Sequence, residues 1–188
     1  MATPPPSDFD TQLMLQVQAG DTEAANKLVR RNFQRVSRYI ARVVRNAAAV
    51  EDLTHDVFLR VLRNPQGYQP KAKFSTWLYR IATNAALNYV GQAHEKRRSD
   101  AGDEVTVRIP ARGDSSPDHR LSLGELRAGV SAAISSLPIK QRIALTLYEY
   151  EEFSYEQIAI VLDSTADAVR CQLRRAREAL RAKLSSLT

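Results

Sequence analysis

Apolar residues recur along this chain at intervals of three and four, the helical period, and almost nowhere at the alternation of a strand. The first such cluster, Leu13-Met14-Leu15-Gln16-Val17, is closed by Gly20, whose missing Cβ suits the residue after a helix end. Asp21 is placed to cap the next helix, which runs from Thr22 to about Asn46 on Leu28, Phe33, Val36, Ile40, Val43 and Val44. A third helix is predicted from about Val50 to Leu62, its stripe Val50, Leu53, Val57, Phe58, Val61 and Leu62, with Glu51 and Asp52 in the first turn where the helix dipole favours acids. Pro65-Gln66-Gly67-Tyr68-Gln69-Pro70 must break it. A fourth helix, from near Ser75 to about Ala93, buries Leu78, Ile81, Ala82, Ala85 and Tyr89.

The pattern fails after Lys96-Arg97-Arg98. Ser99 to His119 is rich in Gly, Pro, Ser and Asp and has one short alternating run, Val105 to Ile109. Such a stretch buries too little apolar surface to offset ordering and reads as a linker. Helical periodicity resumes from about Leu121 to Ser186. Pro138 opens a helix through Glu149, Ser154 a shorter one to Leu162, and a long one begins near Thr165. The expected fold class is all-α: residues 1–12 a flexible lead-in, 13–98 a first helical module, 99–120 a linker, and 121–188 a second module.

Composition narrows the function. The 188 residues hold one domain or two small ones, and 27 Lys and Arg against 21 acids give a net charge of +6, which favours a polyanionic partner. The single cysteine, Cys171, forms no internal disulfide and no thiolate metal cage, and the histidines 55, 94 and 119 are scattered, so neither a metal nor another cofactor is expected. The start of the chain lacks the basic and apolar stretches of a signal peptide, and no apolar run is long enough to span a membrane; the expectation is a reduced, cytoplasmic protein.

Two regions carry candidate chemistry. In Ser154-Tyr155-Glu156-Gln157, Ser154 and Gln157 fit a capping box. The turn Asp163-Ser164-Thr165 then leads into a helix with Val169, Leu173, Ala176, Leu180 and Leu184 on one stripe and Arg170, Arg174, Arg177 and Arg181 opposite, flanked by Arg175 and Lys183. Short helix, tight turn and long basic helix make a helix-turn-helix, whose second helix presents its first side chains to a major groove. The bland alternative is a basic, solvated helix. In the first module Phe74, Trp77 and Tyr79 mix with Lys71, Lys73 and Arg80, and Trp77, Arg80, Asn84 and Asn88 share a face; rings stack on unpaired bases and amides read their edges. Trp77 as ordinary core is the competing reading.

Read together, these segments resemble a known family. Gly20-Asp21 with Ala24-Ala25, Val50 through Phe58, and Phe74 through Asn84 resemble region 2 of the extracytoplasmic-function sigma factors; Leu137-Pro138, Phe153 through Ala159, and Val169 through Arg177 resemble their region 4, and Asn84 through Ala93 looks closest to the sigma-E-type branch. The resemblance implies an initiation factor without catalytic residues or a small-molecule substrate. Asp52, His55, Asp56 and Phe58 would dock on the clamp of core RNA polymerase, although Phe58 also fits the core. Tyr68, Lys71, Lys73, Trp77, Arg80, Asn84 and Asn88 would hold the minus-ten element of promoter DNA. Tyr155, Arg170, Cys171, Arg174, Arg175 and Arg177 would read the minus-thirty-five element; a small filler is the bland reading of Cys171, ahead of a redox sensor. An anti-sigma partner, often membrane-anchored in this family, would mask these surfaces in a stress or envelope response. Departures include Gln69-Pro70-Lys71 where an Arg-Gly-acid loop is usual, Asp167-Ala168 where Gly-Thr is common, His55 for Gln and Gln172 for Arg. The rival classes are a stand-alone helix-turn-helix regulator, which would carry a ligand pocket or dimer helix in its first module, and a nucleic-acid-processing enzyme, which would need acids beyond Glu95 near the aromatic cluster.

Overall fold

The computed structural model describes residues 8–99 and 119–185, and within them the chain forms eight α-helices and a short 3-10 turn at Pro65–Gly67. The helices are α1 Phe9–Gln18, α2 Thr22–Val44, α3 Ala47–Arg63, α4 Phe74–Ser99, α5 His119–Ser135, α6 Ile139–Glu151, α7 Tyr155–Leu162 and α8 Ala166–Leu184. The run Val105 to Ile109 and most of the expected linker lie outside the described residues.

Helix ends follow local chemistry. Asp21 caps α2 by accepting from the Glu23 and Ala24 amides at 2.8 and 3.0 Å, and Gly20 before it takes φ +94°, a conformation that glycine adopts without steric cost. The Ser154–Gln157 capping box is present, with bonds of 2.9 and 3.3 Å. Thr165 caps α8, accepting from Ala168 at 3.2 Å.

The first helix starts earlier than its apolar cluster predicts. Asp8 accepts from the Thr11 amide at 2.7 Å, and Thr11, Leu13, Met14 and Val17 are buried. The flexible lead-in expected over residues 1–12 therefore gives way, over 8–12, to a capped helix. Residues 9–12 alone carry no apolar period; their order comes from packing on α2 and on the loop before α4.

The two modules do not stand apart. α7 lies on α4 and α6 on α2, and the buried side chains form one continuous core across both. Tyr79 is edge-on to Tyr39 within the first module, 5.0 Å between ring centres, and to Phe153 of the second, at 5.1 Å. Its hydroxyl donates to the Glu151 carboxylate, which also takes Arg35 at 3.3 Å and is 5% exposed. Arg142 of α6 donates to the Val43 carbonyl at 2.8 Å and to those of Ser135 and Leu137 at 2.6 and 3.0 Å. Three arginines of α2 find partners on other elements: Arg31 meets Asp10 at 2.8 Å, Arg35 meets Glu151, and Arg42 stacks on the Tyr150 ring at 4.1 Å.

Candidate nucleic-acid interface

Three surfaces correspond to the three groups of candidate residues. On α3 the structure exposes Asp52 and His55 and half-exposes Asp56, which pairs with Arg60 at 2.7 Å. The His55 Nδ1–H donates to the Glu51 carbonyl at 3.1 Å and the ring rests 5.2 Å from Phe33, so the imidazole is held in one orientation. Phe58 departs from its expected role: it is buried, 5.8 Å from the Phe33 ring, and is a core residue. Leu59 and Leu62 are exposed instead. The apolar stripe assigned Leu62 to the core, and Leu59 lies outside the stripe altogether; at the helical period Leu59 borders Asp56. The face offers carboxylates edged with exposed leucine, a combination suited to a basic, partly apolar partner.

The second surface is the loop before α4 and the outer face of that helix. Arg80, Asn84 and Asn88 are exposed and successive at helical spacing, and Lys71 and Lys73 are exposed in the loop. Trp77 is half-buried, its ring 5.5 Å from Tyr68 and 6.0 Å from Phe74, so one side is core and the other is open. Tyr68 is not on the surface. It is 2% exposed and belongs to a chain of hydrogen bonds. The Phe74 amide donates to Thr11 Oγ1 at 3.2 Å, the Thr11 hydroxyl lies 3.1 Å from that of Tyr68, and Tyr68 donates to the Ala72 carbonyl at 2.8 Å. Since Tyr68 spends its one proton on Ala72, Thr11 donates to Tyr68. Burial also raises the Tyr68 pKa, keeping the phenol protonated. Gln18 holds the other end of the loop, donating to the Pro65 and Tyr68 carbonyls at 2.9 and 2.8 Å. Thr11 and Gln18 are thus positioning residues that periodicity misses; a polar residue pinning a loop some fifty positions away leaves no local signal.

The third surface is α8. Val169, Leu173 and Ala176 are buried, which turns Arg170, Arg174 and Arg175 outward. Arg170 pairs with Asp167 at 2.6 Å and lies 5.7 Å over the half-buried Tyr155 ring. Arg174 reaches Glu178 at 3.7 Å. Arg177 is engaged more fully: it bonds Glu149 at 3.1 Å and stacks over Tyr148 at 5.0 Å, and the Glu149 bond is the main cause that raises its pKa. Tyr148 and Tyr155, 5.4 Å apart, make an aromatic bed under these arginines. Cys171 is a half-buried free thiol on the same helix. Among the described residues no group of His, Cys, Asp or Glu is arranged to hold a metal ion, and no helix is long and apolar enough to cross a membrane.

The family model for sigma-70 region 2 matches residues 28–96 and that for sigma-70 region 4 matches 127–180. The ECF RNA polymerase sigma-E factor of Escherichia coli (strain K12) is 36% identical over 183 residues, 95% of either chain. This chain is an extracytoplasmic-function sigma factor. Another relative, the ECF RNA polymerase sigma factor SigE of Mycolicibacterium smegmatis, is 38% identical over 189 residues, covering 97% of this sigma factor and 72% of that one. Among solved structures, CnrH in complex with the cytosolic domain of CnrY has the same fold at TM-score 0.71 and 23% identity, over 96% of this chain and 100% of that one. The sigma factor RpoE of Bartonella quintana, solved with the anti-sigma factor NepR, aligns at TM-score 0.66 and 20% identity over 85% and 96%. As a sigma factor the protein is a transcription initiation factor, not a catalyst. Helices α1–α4 contain the region 2 match, and α5–α8 the region 4 match.

Proposed function

We propose that this sigma factor engages its polymerase and promoter through the three surfaces above, each with a separate task. The α3 face, with Asp52, His55, Asp56 and the exposed Leu59, docks on the clamp of core RNA polymerase. Lys71, Lys73, Trp77, Arg80, Asn84 and Asn88 hold the unpaired minus-ten strand, while Tyr68 shapes the loop from within. Arg170, Cys171, Arg174 and Arg175 face the minus-thirty-five duplex, with Tyr155 beneath and Arg177 beside the phosphates. The observation that carries this reading is the segregation of side chains on α4 and α8. On both helices the apolar stripe is buried and the cations and amides stand out together.

The packing between modules adds a condition. Promoter elements 25 positions apart lie about 85 Å apart along a duplex rising 3.4 Å per base pair, whereas a folded body of this size is about 40 Å across. Both elements can be bound at once only after α7 leaves α4. In this reading the packed form is the resting form. The protein works in the cytoplasm beside its polymerase, and a membrane-anchored anti-sigma factor holds it back until an envelope or stress signal arrives.

In-vitro transcription with core polymerase on a promoter library tests the proposal. Transcripts that need both this chain and a shared pair of promoter elements are expected. Binding of duplex DNA by the chain alone, with no transcript at any promoter, would favour the stand-alone regulator.

A further inference from the structure

The head of α8 carries an acid, Asp167, that suits the helix dipole but takes no part in the cap. The cap of the helix is Thr165, whose hydroxyl takes the Ala168 amide at 3.2 Å, so Asp167 is not needed there. Its carboxylate instead takes Arg170 Nη1 at 2.6 Å, one turn along. The two side chains are 88% and 64% exposed, and an exposed pair at this spacing contributes little to stability. What it does is fix the guanidinium. Arg170 is held by Asp167 at one edge and lies over the Tyr155 ring at 5.7 Å. Glu156 stands near as well: its carboxyl is held below the usual range mainly by the Ser154 hydroxyl, and in part by the Arg170 charge.

We infer that Asp167 is a specificity-determining residue of the upstream-element reader, locking Arg170 in register on a guanine and itself accepting a hydrogen bond from the exocyclic amine of a neighbouring cytosine. The inference rests on the placement of Arg170 in the major groove proposed above. A guanidinium fork matches the O6 and N7 of guanine, and a carboxylate is the natural acceptor for the cytosine N4 amine. With one oxygen on Arg170, the other is open to solvent and free to accept. The same carboxylate disfavours thymine and guanine. It cannot donate, so a base edge presenting thymine O4 or guanine O6 meets lone pair against lone pair. An acid at this position also repels phosphate, so it lowers attachment to DNA of any sequence while sharpening the choice among sequences.

The test uses holoenzyme assembled from core polymerase and the full chain, with selection from randomised upstream elements at one salt concentration. Helicity is checked by circular dichroism, and each variant's affinity for unrelated duplex is measured alongside. The wild-type protein should select a cytosine beside the guanine read by Arg170. Asp167→Ala should lose the cytosine preference by about tenfold or more, with affinity for unrelated duplex unchanged or higher. Asp167→Asn, of the same size, should move the preference toward adenine, whose N6 and N7 match an amide. A variant that selects the wild-type sequence would overturn the inference. So would a uniform loss of affinity with the selected sequence unchanged, which marks the acid as merely structural. Arg170→Ala separates the two levels: if it too leaves the selected sequence unchanged, the placement of Arg170 fails, and the role of Asp167 with it.

Discussion

The hydroxyl of Tyr79 in α4 donates to the carboxylate of Glu151 at the end of α6, and this bond joins the two modules at a point almost closed to water. Removing one partner of a buried, charge-assisted hydrogen bond costs about 1–3 kcal/mol. Tyr79→Phe keeps the ring contacts with Tyr39 and Phe153 and deletes only that bond. We expect it to lower the melting temperature by several degrees and to increase the radius of gyration in small-angle scattering as the modules part. A variant with unchanged scattering and melting would show that ring packing alone holds the interface.

The same site gives a pH dependence. Burial, then the Glu151 bond, raises the pKa of Tyr79 above its ordinary value of 10.0, and burial raises that of Tyr39. A raised folded-state pKa means that the stabilisation is complete below the unfolded pKa and is lost above it. Stability should therefore be flat in these groups below about pH 9 and fall as pH rises through 10 and beyond. Denaturant unfolding at pH 8, 9.5 and 10.5 should show the fall, and Tyr79→Phe should reduce its slope.

Thr11 connects the start of the chain to the loop before α4. Thr11→Val removes the hydroxyl that serves both the Phe74 amide and Tyr68, leaving the buried amide without its acceptor and Tyr68 with its bond to Ala72 alone. The expected cost is about 1–3 kcal/mol. If the loop shapes the minus-ten site, opening of the promoter, followed by permanganate reactivity, should suffer more than attachment to the upstream element. Equal loss of both would make Thr11 a general stability residue.

Asp52 and Asp56 lie one turn apart on an exposed face of α3. Replacing both by Arg should weaken binding to core polymerase without loss of helicity, and Leu59→Ser should weaken it further, since Leu59 is 47% exposed beside Asp56. A pull-down titration with unchanged affinity for both variants would remove α3 as the docking face.

Trp77 has one face in the core and one in the open. Trp77→Leu preserves most of the packing while losing the stacking platform, which is worth about 1–3 kcal/mol per base. Promoter melting should fall with the upstream contact intact. A fall in thermal stability with melting activity retained would assign Trp77 to the core.

Glu149 pairs with Arg177 at 3.1 Å. Releasing it with Glu149→Gln should strengthen attachment to unrelated duplex and steepen the dependence on salt by up to one phosphate contact. No change in the salt slope would mean that Arg177 does not reach the backbone.

The sequence by itself determined the helices and most of their ends. Apolar spacing on α2, α3 and α8, the break at Pro65 to Pro70, and the caps at Asp21 and Ser154 are local effects, written within one or two turns of the residues that cause them. The outward faces of α4 and α8 were legible for the same reason: once Leu78 and Ala82, or Val169 and Leu173, are assigned inward, Arg80 and Asn84, or Arg170 and Arg174, have one way to point. Three things waited for the tertiary structure. Phe58 and Tyr68 carry side chains that suit a surface or a core equally, and only the arrival of Phe33 and Thr11 from other helices buries them. Leu62 fits the apolar stripe by period and is nevertheless exposed, on the last turn of α3. The seating of α7 on α4 is the largest of these. It depends on Tyr79 meeting Phe153 and Glu151 more than seventy positions away, and a hydrogen bond between residues so far apart leaves no periodicity in either stretch of chain.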